Sequence, residues 1–375
     1  MILLIGLALT GGLGWTLHTA SRETINHRFQ SAAAERAGII IDQFKDSLRD
    51  LDSIRRFFDG STFVSRAEFR RFVTPILDHH GFQALEWLPH VLLAERADYE
   101  TAAHNDGLTG FQFTERNAQG ELVSAADRPE YFPVFYLEPY AGNEAALGFT
   151  PDSSHPARGA ALIAAWESGQ PMATGRYILV QEQGPRFSVL VFAPVYRELT
   201  VTSAAAQRER LQGFVLGVLR IGDAVESALQ DSGSSEPDLR LRVLDRSAVE
   251  REQLLYQQDA PTGSVTPDTL RRDERPVPDL SLDLLDGFSV KSEPINDPAP
   301  VYLPFRYAQE FPFAGRLWRI EVAPGPTFIS SHADWSAHWV VAAGVLLTLL
   351  TALYGATLVS QRHRAEALVA VRTAE

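Results

Sequence analysis

An apolar run from Trp335 to Leu358 constrains this 375-residue chain more than any other stretch. It carries Val340, Val341, Val345, Leu346, Leu347, Leu349, Leu350 and Leu353, and holds no Asp, Glu, Lys or Arg. A run of that length crosses a bilayer as one helix. Trp335 and Trp339 suit its outer interface. Arg362, Arg364 and Arg372 behind it put the C-terminal end in the cytoplasm by the positive-inside rule. A buried core helix is the competing reading, and the length and basic flank argue against it. A second apolar run, Met1 to about Leu17, is slightly shorter than the roughly 20 residues that span. It lacks the basic start and small-x-small cleavage site of a signal peptide, so it reads as a retained anchor. Two spans put everything from about Ser21 to Asp334 on one side, outside.

The intervening chain has an ordinary globular balance, 22% charged and 45% hydrophobic residues. Its net charge of -13 lacks the basic footprint of a nucleic-acid binder. Without cysteine there is no disulfide framework and no thiolate metal site. Adjacent His79 and His80 point apart on a helix and make no i,i+4 ligand pair, so no metal and no cofactor is expected. No nucleophile elbow, Walker loop, His-Glu-x-x-His or dinucleotide fingerprint is present.

In chain order, the expected divisions are an anchor at 1–20, a stalk helix and second helix at 21–81, a membrane-distal unit at 82–200, a membrane-proximal unit at 201–330, a span at 335–359 and a connector helix from 360 to 375. Ile40, Phe44, Leu48, Leu51 and Phe58 recur at helical spacing. They form a stripe that packs on the chain's own domain, on the same helix of a second subunit, or on both along different lengths. Ser65-Arg66-Ala67-Glu68 is a capping box that opens the second helix. Phe111 to Arg116 alternates as a half-buried strand, and Thr174–Gln181 and Phe187–Tyr196 are apolar strand runs joined through Gly184-Pro185. Glu198–Gln212 is a polar connection. Gly213–Ile221 reads as a central strand of the second unit, followed by a short helix from Gly222 to Gln230, the alternating strand Leu239–Asp245, a loop at Asp259–Pro278, and a last strand Leu317–Ala323. The fold class is α+β: a long stalk helix, then two PAS-like antiparallel-sheet units between two transmembrane helices.

The densest stretch is Arg128–Pro139. Tyr131, Phe132, Phe135 and Tyr136 are framed there by Pro129, Pro133 and Pro139, which exclude a long helix and favour extended chain. Gly142-Asn143 reads as a turn. An Ala-rich helix follows from about Ala157 to Glu167, with Asp152, Ser153 or Ser154 as cap and Gly169 as stop. With Gln83–Pro89, Gly142–Phe149, Leu179–Glu182 and Phe192–Tyr196, this order of pieces resembles a CHASE domain, the extracytoplasmic sensor of bacterial receptors and plant cytokinin receptor kinases. The pieces cover about a third of the chain in the family's order.

The resemblance implies a transmembrane receptor of a bacterial inner membrane, with residues 21–334 periplasmic. It also implies a small-molecule ligand, a homodimer through the stalk helix, and a cytoplasmic output such as a histidine kinase, diguanylate cyclase or phosphodiesterase. After Ser360 only Gln361–Glu375 remains, too short for such an output, so the expectation is a truncated chain or part of a longer receptor. In the cytokinin-binding branch an aspartate that holds the adenine follows the segment matching Gly148-Phe149. Thr150 stands there, which puts adenine-type ligands in doubt.

The expected pocket is apolar with a few polar groups. Its candidate residues are Tyr131, Phe132, Tyr136, Tyr140, Leu179, Val191 and Phe192 for walls, with Thr150 and Thr174 for polarity. The alternative readings are a membrane-anchored periplasmic hydrolase using Glu138, Glu144 or Asp152, or a structural membrane protein without ligand; Glu182 is a further carboxylate near the aromatic cluster. Arg158 is expected to pair with Asp152.

Overall fold

The structure is a computed structural model that describes residues 2–77, 81–117, 121–151, 156–178, 187–197, 210–231, 238–258, 305–332 and 336–373. His79, His80, Asp152, Ser153, Ser154, Leu179, Glu182, the Gly184-Pro185 turn, the 198–209 connection, the loop at Asp259–Pro278, Trp335 and the side chain of Arg158 lie outside the described residues. The chain divides into two compact units, one of residues 33–323 and one of residues 1–32 with 324–375.

The first helix, α1, runs from Ile2 to Asp59. In the larger unit one stripe of its buried positions is Ala33, Ala37, Ile40, Phe44, Ser47, Leu51, Ile54 and Phe58, with Arg36 and Ile41 buried beside it. Their alternating spacing of four and three residues keeps one stripe on one face. Phe44 packs against Phe311, Phe313 and Trp318, with ring centroids 6.1, 5.5 and 5.1 Å away. Phe58 stacks on Trp87 at 3.9 Å. The stripe therefore closes on the chain's own domain. The Ile40–Phe44 face, expected to meet a second subunit, is buried against the chain's own domain. The opposite face carries Asp42, Lys45, Asp46 and Arg49, ion-paired at i,i+3, and offers no second apolar stripe.

Helix α2, Arg66–Leu77, opens with the expected capping box. The Ser65 N–H donates to Glu68 Oε2 at 2.9 Å, and the Glu68 N–H donates to Ser65 Oγ at 3.3 Å. Strands β1 (Phe82–Pro89) and β2 (Val91–Leu92), helix α3 (Arg96–Asn105) and strands β3 (Thr114–Arg116), β4 (Leu122–Ser124), β5 (Glu130–Tyr131) and β6 (Tyr136–Glu138) follow. Then come helix α4 (Pro156–Ser168) and strands β7 (Met172–Ala173), β8 (Tyr177–Ile178), β9 (Phe187–Tyr196) and β10 (Leu211–Arg220). Gly169, at φ 68°, ends α4 as expected, its N–H reaching the Ala165 carbonyl at 2.9 Å.

The main sheet has the order β6-β1-β10-β9-β7, with β8 also on β9, and every pairing is antiparallel. Strand β10 thus lies at the centre of this first sheet, where the sequence reading had made it the opening strand of a second unit. Its run is apolar throughout because both faces are covered. Such a pattern marks a central strand without saying of which sheet. One face of the sheet receives α1. The other carries α4 over a cluster that includes Ala84, Leu88, Leu190, Phe192, Phe214, Leu216 and Val218.

After helix α5 (Ile221–Asp231), a second sheet is built from β11 (Leu239–Asp245), β12 (Leu254–Gln258), β13 (Tyr307–Phe313) and β14 (Arg316–Pro324), in the order β12-β11-β14-β13. Along β14, Trp318, Ile320 and Val322 alternate inward. Asp245, fully buried, accepts from Arg316 Nε at 2.6 Å.

The smaller unit joins the N-terminal part of α1 to helices α6 (Pro326–His332) and α7 (Ser336–Thr373). Among the described residues, Trp339–Gln361 is long and apolar enough to cross a membrane. Gly6 and Gly14 of α1 face it at close range. A Cβ on Gly6 would lie 2.5 Å from Thr348 Cγ2, and one on Gly14 2.6 Å from Val341 Cγ2. Small residues let two helices approach in this way. Leu4, Leu9 and Trp15 point outward and are at least 70% exposed.

Candidate functional site

A cavity of about 140 Å³ opens on the α4 face of the main sheet. Its floor is the sheet. Ala84 and Glu86 come from β1, Leu190 and Phe192 from β9, and Leu216 and Val218 from β10. All of these share a face because side chains alternate along a strand. Leu85 and Trp87, Val191, and Val215 and Gly217 take the opposite, α1 side. Register confirms this parity, with Leu216 opposite both Glu86 and Phe192 and Gly217 opposite Val191. The wall also includes Gln83 of β1, Arg116 of β3, Leu122 of β4, Val134, Asn143, Phe149, Pro151 and Tyr177. Val134 and the 148–149 segment hold each other through two backbone bonds of 2.9 Å.

Of the expected site residues that are described, Phe192 lines this cavity. Val191 is fully buried on the other face. Thr150 is buried between Phe149 and Pro151, which both line the cavity, and is not itself part of the wall. Among the described residues, its hydroxyl and that of Thr114 are buried with no hydrogen-bond partner. Thr174 Oγ1 accepts the Leu190 N–H at 3.1 Å and is spent on the sheet edge. Phe132 belongs to the apolar cluster, edge-on to Trp166 and Phe214. Tyr131 donates to the Ala126 carbonyl and accepts the Arg128 N–H, a structural tie. Tyr140 is exposed.

Tyr136 is packed under α2. Its hydroxyl donates to the Val64 carbonyl at 2.9 Å, and the Arg66 guanidinium lies 4.9 Å over its ring. Burial pushes that hydroxyl up to about 12. Burial also pulls the Arg66 guanidinium down from its ordinary value, against the opposing charge of Asp106. Of the carboxylates considered for hydrolysis, Glu138 is buried and bound by Arg70 Nε at 2.5 Å, and Glu144 is exposed. Neither is in the cavity wall.

The sequence reading did not single out Glu86, Gln83, Asn143, Arg116 or Tyr177. Glu86 did carry a signal, as the charged residue inside Ala84-Leu85-Glu86-Trp87-Leu88. Arg116 and Asn143 are brought over the sheet by the folding of the 114–151 segment, whereas Gln83 comes from β1 and Tyr177 from β8.

The cavity's edge is tied to the second sheet. Arg176, next to Tyr177, lies 4.2 Å over the Phe187 ring and donates to the carbonyls of Leu254 and Arg251, each at 2.8 Å. The Ala173 N–H donates to the Ala314 carbonyl at 2.8 Å.

The sequence profile of the CHASE domain matches residues 62–256, more than half of the chain. No curated protein matches it. Among solved structures, the chain is similar to the periplasmic sensory domain of the Campylobacter jejuni chemoreceptor Tlp1, at a TM-score of 0.44 and 11% identity, covering 83% of this chain and 98% of that one. It is similar also to the ligand-binding domain of the Pseudomonas aeruginosa PAO1 amino-acid chemoreceptor PctC in complex with GABA, at 0.39 and 11%, covering 79% and 97%.

Proposed function

The chain belongs to the CHASE domain family, and we propose that it is the extracytoplasmic ligand-sensing region of a transmembrane receptor, with the cavity on the main sheet as its ligand site. The cavity carries this reading. It lies within the family segment, it is mostly apolar, and it has a few polar groups in its wall, as small-molecule sites do. Residues 82–220 form the membrane-distal, PAS-like unit and the second sheet a membrane-proximal one. Trp339–Gln361 and the apolar segment at 1–20 are the two spans, with residues 21–334 in the periplasm of a bacterial inner membrane. The close approach of Gly6 and Gly14 to α7 supports pairing of those spans. Ligand binding shifts the β7–β8 edge, the Arg176 and Ala173 bonds pass the shift to the second sheet, and a cytoplasmic output such as a histidine kinase or diguanylate cyclase receives it. A homodimer of the receptor would use surfaces other than the Ile40–Phe44 stripe.

A small-molecule thermal-shift screen of the full chain in nanodiscs tests the site. Binding raises the unfolding temperature by mass action. Val218→Phe, which fills the cavity, should abolish the shift produced by any true ligand. A shift that survives Val218→Phe refutes the cavity as the site.

A further inference from the structure

Strand β1 is bulged where it begins to pair with β10. Phe82 pairs with Leu219 and Ala84 with Val218, so β1 advances two residues while β10 advances one. A bulge re-aims a side chain. Here Gln83 joins Ala84 in the cavity wall, while Phe82 lies on the α1 side against Gly217. Glu86, Arg116 and Tyr177 of the same wall interact with other groups of the protein. Gln83 and Asn143 differ from them, because their bonds fix which way each amide points. The Pro139 carbonyl can only accept, so the Asn143 amide nitrogen faces it and donates at 2.9 Å. That turns Asn143 Oδ1 toward Gln83, whose amide nitrogen donates to it at 3.2 Å. Asn143 is only 5% exposed, which holds the arrangement from behind. The relay leaves Gln83 Oε1 as an acceptor that takes no hydrogen bond among the described residues.

We propose that Gln83 recognises the ligand through this carbonyl, with Asn143 as its positioning residue, and that the ligand is a small neutral alcohol with an apolar body. This rests on the reading of the cavity as the ligand site and names the class of molecule it takes. An oriented acceptor selects a donor, and a ligand group that can only accept leaves both oxygens unpaired out of water. A hydroxyl brings its donor on a single heavy atom, which matters where space is short. A cavity of about 150 Å³ holds a benzene-sized molecule. At about 140 Å³, the ligand is limited to roughly six to ten non-hydrogen atoms. Leu190, Phe192, Leu216 and Val218 receive the apolar body. A charged head group would leave water for a wall that is mostly apolar, at a larger cost than a hydroxyl.

The test compares benzyl alcohol, anisole and ethylbenzene on the full chain in nanodiscs, by titration of intrinsic fluorescence, with empty nanodiscs correcting for uptake by the bilayer. The three have one ring and the same number of heavy atoms. The first donates and accepts, the second only accepts, and the third does neither. Gln83→Leu should weaken benzyl alcohol about two- to tenfold, the factor a neutral hydrogen bond supplies, and should not weaken ethylbenzene. Asn143→Leu frees the Gln83 amide to turn, so anisole should gain on benzyl alcohol, a change of preference that lost stability alone does not produce. If neither variant folds, affinities on the native chain decide, each divided by the probe's water-to-octanol partition, with benzyl alcohol expected highest. Benzyl alcohol unaffected by Gln83→Leu yet abolished by Val218→Phe overturns the role of Gln83 and leaves the cavity as the site. Binding of benzyl alcohol that survives Val218→Phe overturns both. Absence of binding by all three overturns the alcohol assignment.

Discussion

Gly217→Ala tests whether α1 is seated on the main sheet of its own chain. Gly217 lies on β10, on the face turned to α1. A Cβ there would meet Phe82 Cε1 at 2.7 Å and the two Leu51 methyls at 3.0 and 3.2 Å. Its backbone is one that any residue adopts, so conformation does not oppose alanine. Alanine even gains about 0.4–1 kcal/mol by narrowing the unfolded ensemble. The forced contact costs about 1–3 kcal/mol, because Leu51 is fully buried and Phe82 sits on the same sheet. The contact wins, and a net loss of about 1–2 kcal/mol is expected. Leu51→Ala alone should cost about 2–5 kcal/mol. It also empties the space the new methyl needs, so the double variant should lose less than the sum, by about 0.5–3 kcal/mol. Urea unfolding of the full chain in nanodiscs, followed by tryptophan fluorescence, reads these differences, since Trp87 stacks on Phe58 of α1. Gly217→Ala as stable as the native chain, with no coupling to Leu51→Ala, would refute the seating of the stripe and reopen it to a second subunit.

Tyr136→Phe should cost about 1 kcal/mol at pH 8, where it removes the bond to the Val64 carbonyl. Burial raises the Tyr136 hydroxyl to about 12, above its unfolded value of about 10, so its contribution is complete below pH 10. It is lost at about 1.4 kcal/mol per pH unit as pH rises toward 12. The phenylalanine variant lacks that loss, and the two stabilities should cross near pH 11; a constant gap from pH 9 to 11.5 would sink the argument. In the smaller unit, a Cβ on Gly344 would lie 3.4 Å from Thr10 Cβ, close to disulfide geometry. Thr10→Cys with Gly344→Cys should oxidise within one chain in membranes, and Leu9→Cys with Gly344→Cys should not. The chain has no cysteine to confuse the gel.

Local signals predicted the helices well. The stripe of α1, the Ser65–Glu68 box and the Gly169 stop each follow from contacts within a few residues, which a sequence displays directly. Strands were legible as strands where both faces are buried, in β9 and β10, or where one is, in β11 and β14. Strand β13 escaped notice because it is an edge, mostly exposed and carrying Gln309, Glu310 and Pro312. Its turn to β14 uses Ala314 at φ 42° before Gly315 at φ 78°. Positive φ at alanine is no turn signal. Membership of β10 in the first sheet depends on pairing across the chain, and its uniform apolarity is the same in any sheet.

The cavity was less legible, and the reason is parity. The aromatic run of 131–136 drew attention by density, yet Tyr131 and Tyr136 spend their hydroxyls on backbone carbonyls. What decides a strand residue's part in the site is whether it is odd or even, and one residue of register exchanges the two faces. Phe192 faces the cavity and Val191 does not; Phe149 and Pro151 do and Thr150 does not. The position that the resemblance assigns to an adenine-holding aspartate is thus outside the cavity wall here as well as uncharged. The carboxylate of this cavity comes from Glu86 on the floor instead of from the 149–151 segment of the wall.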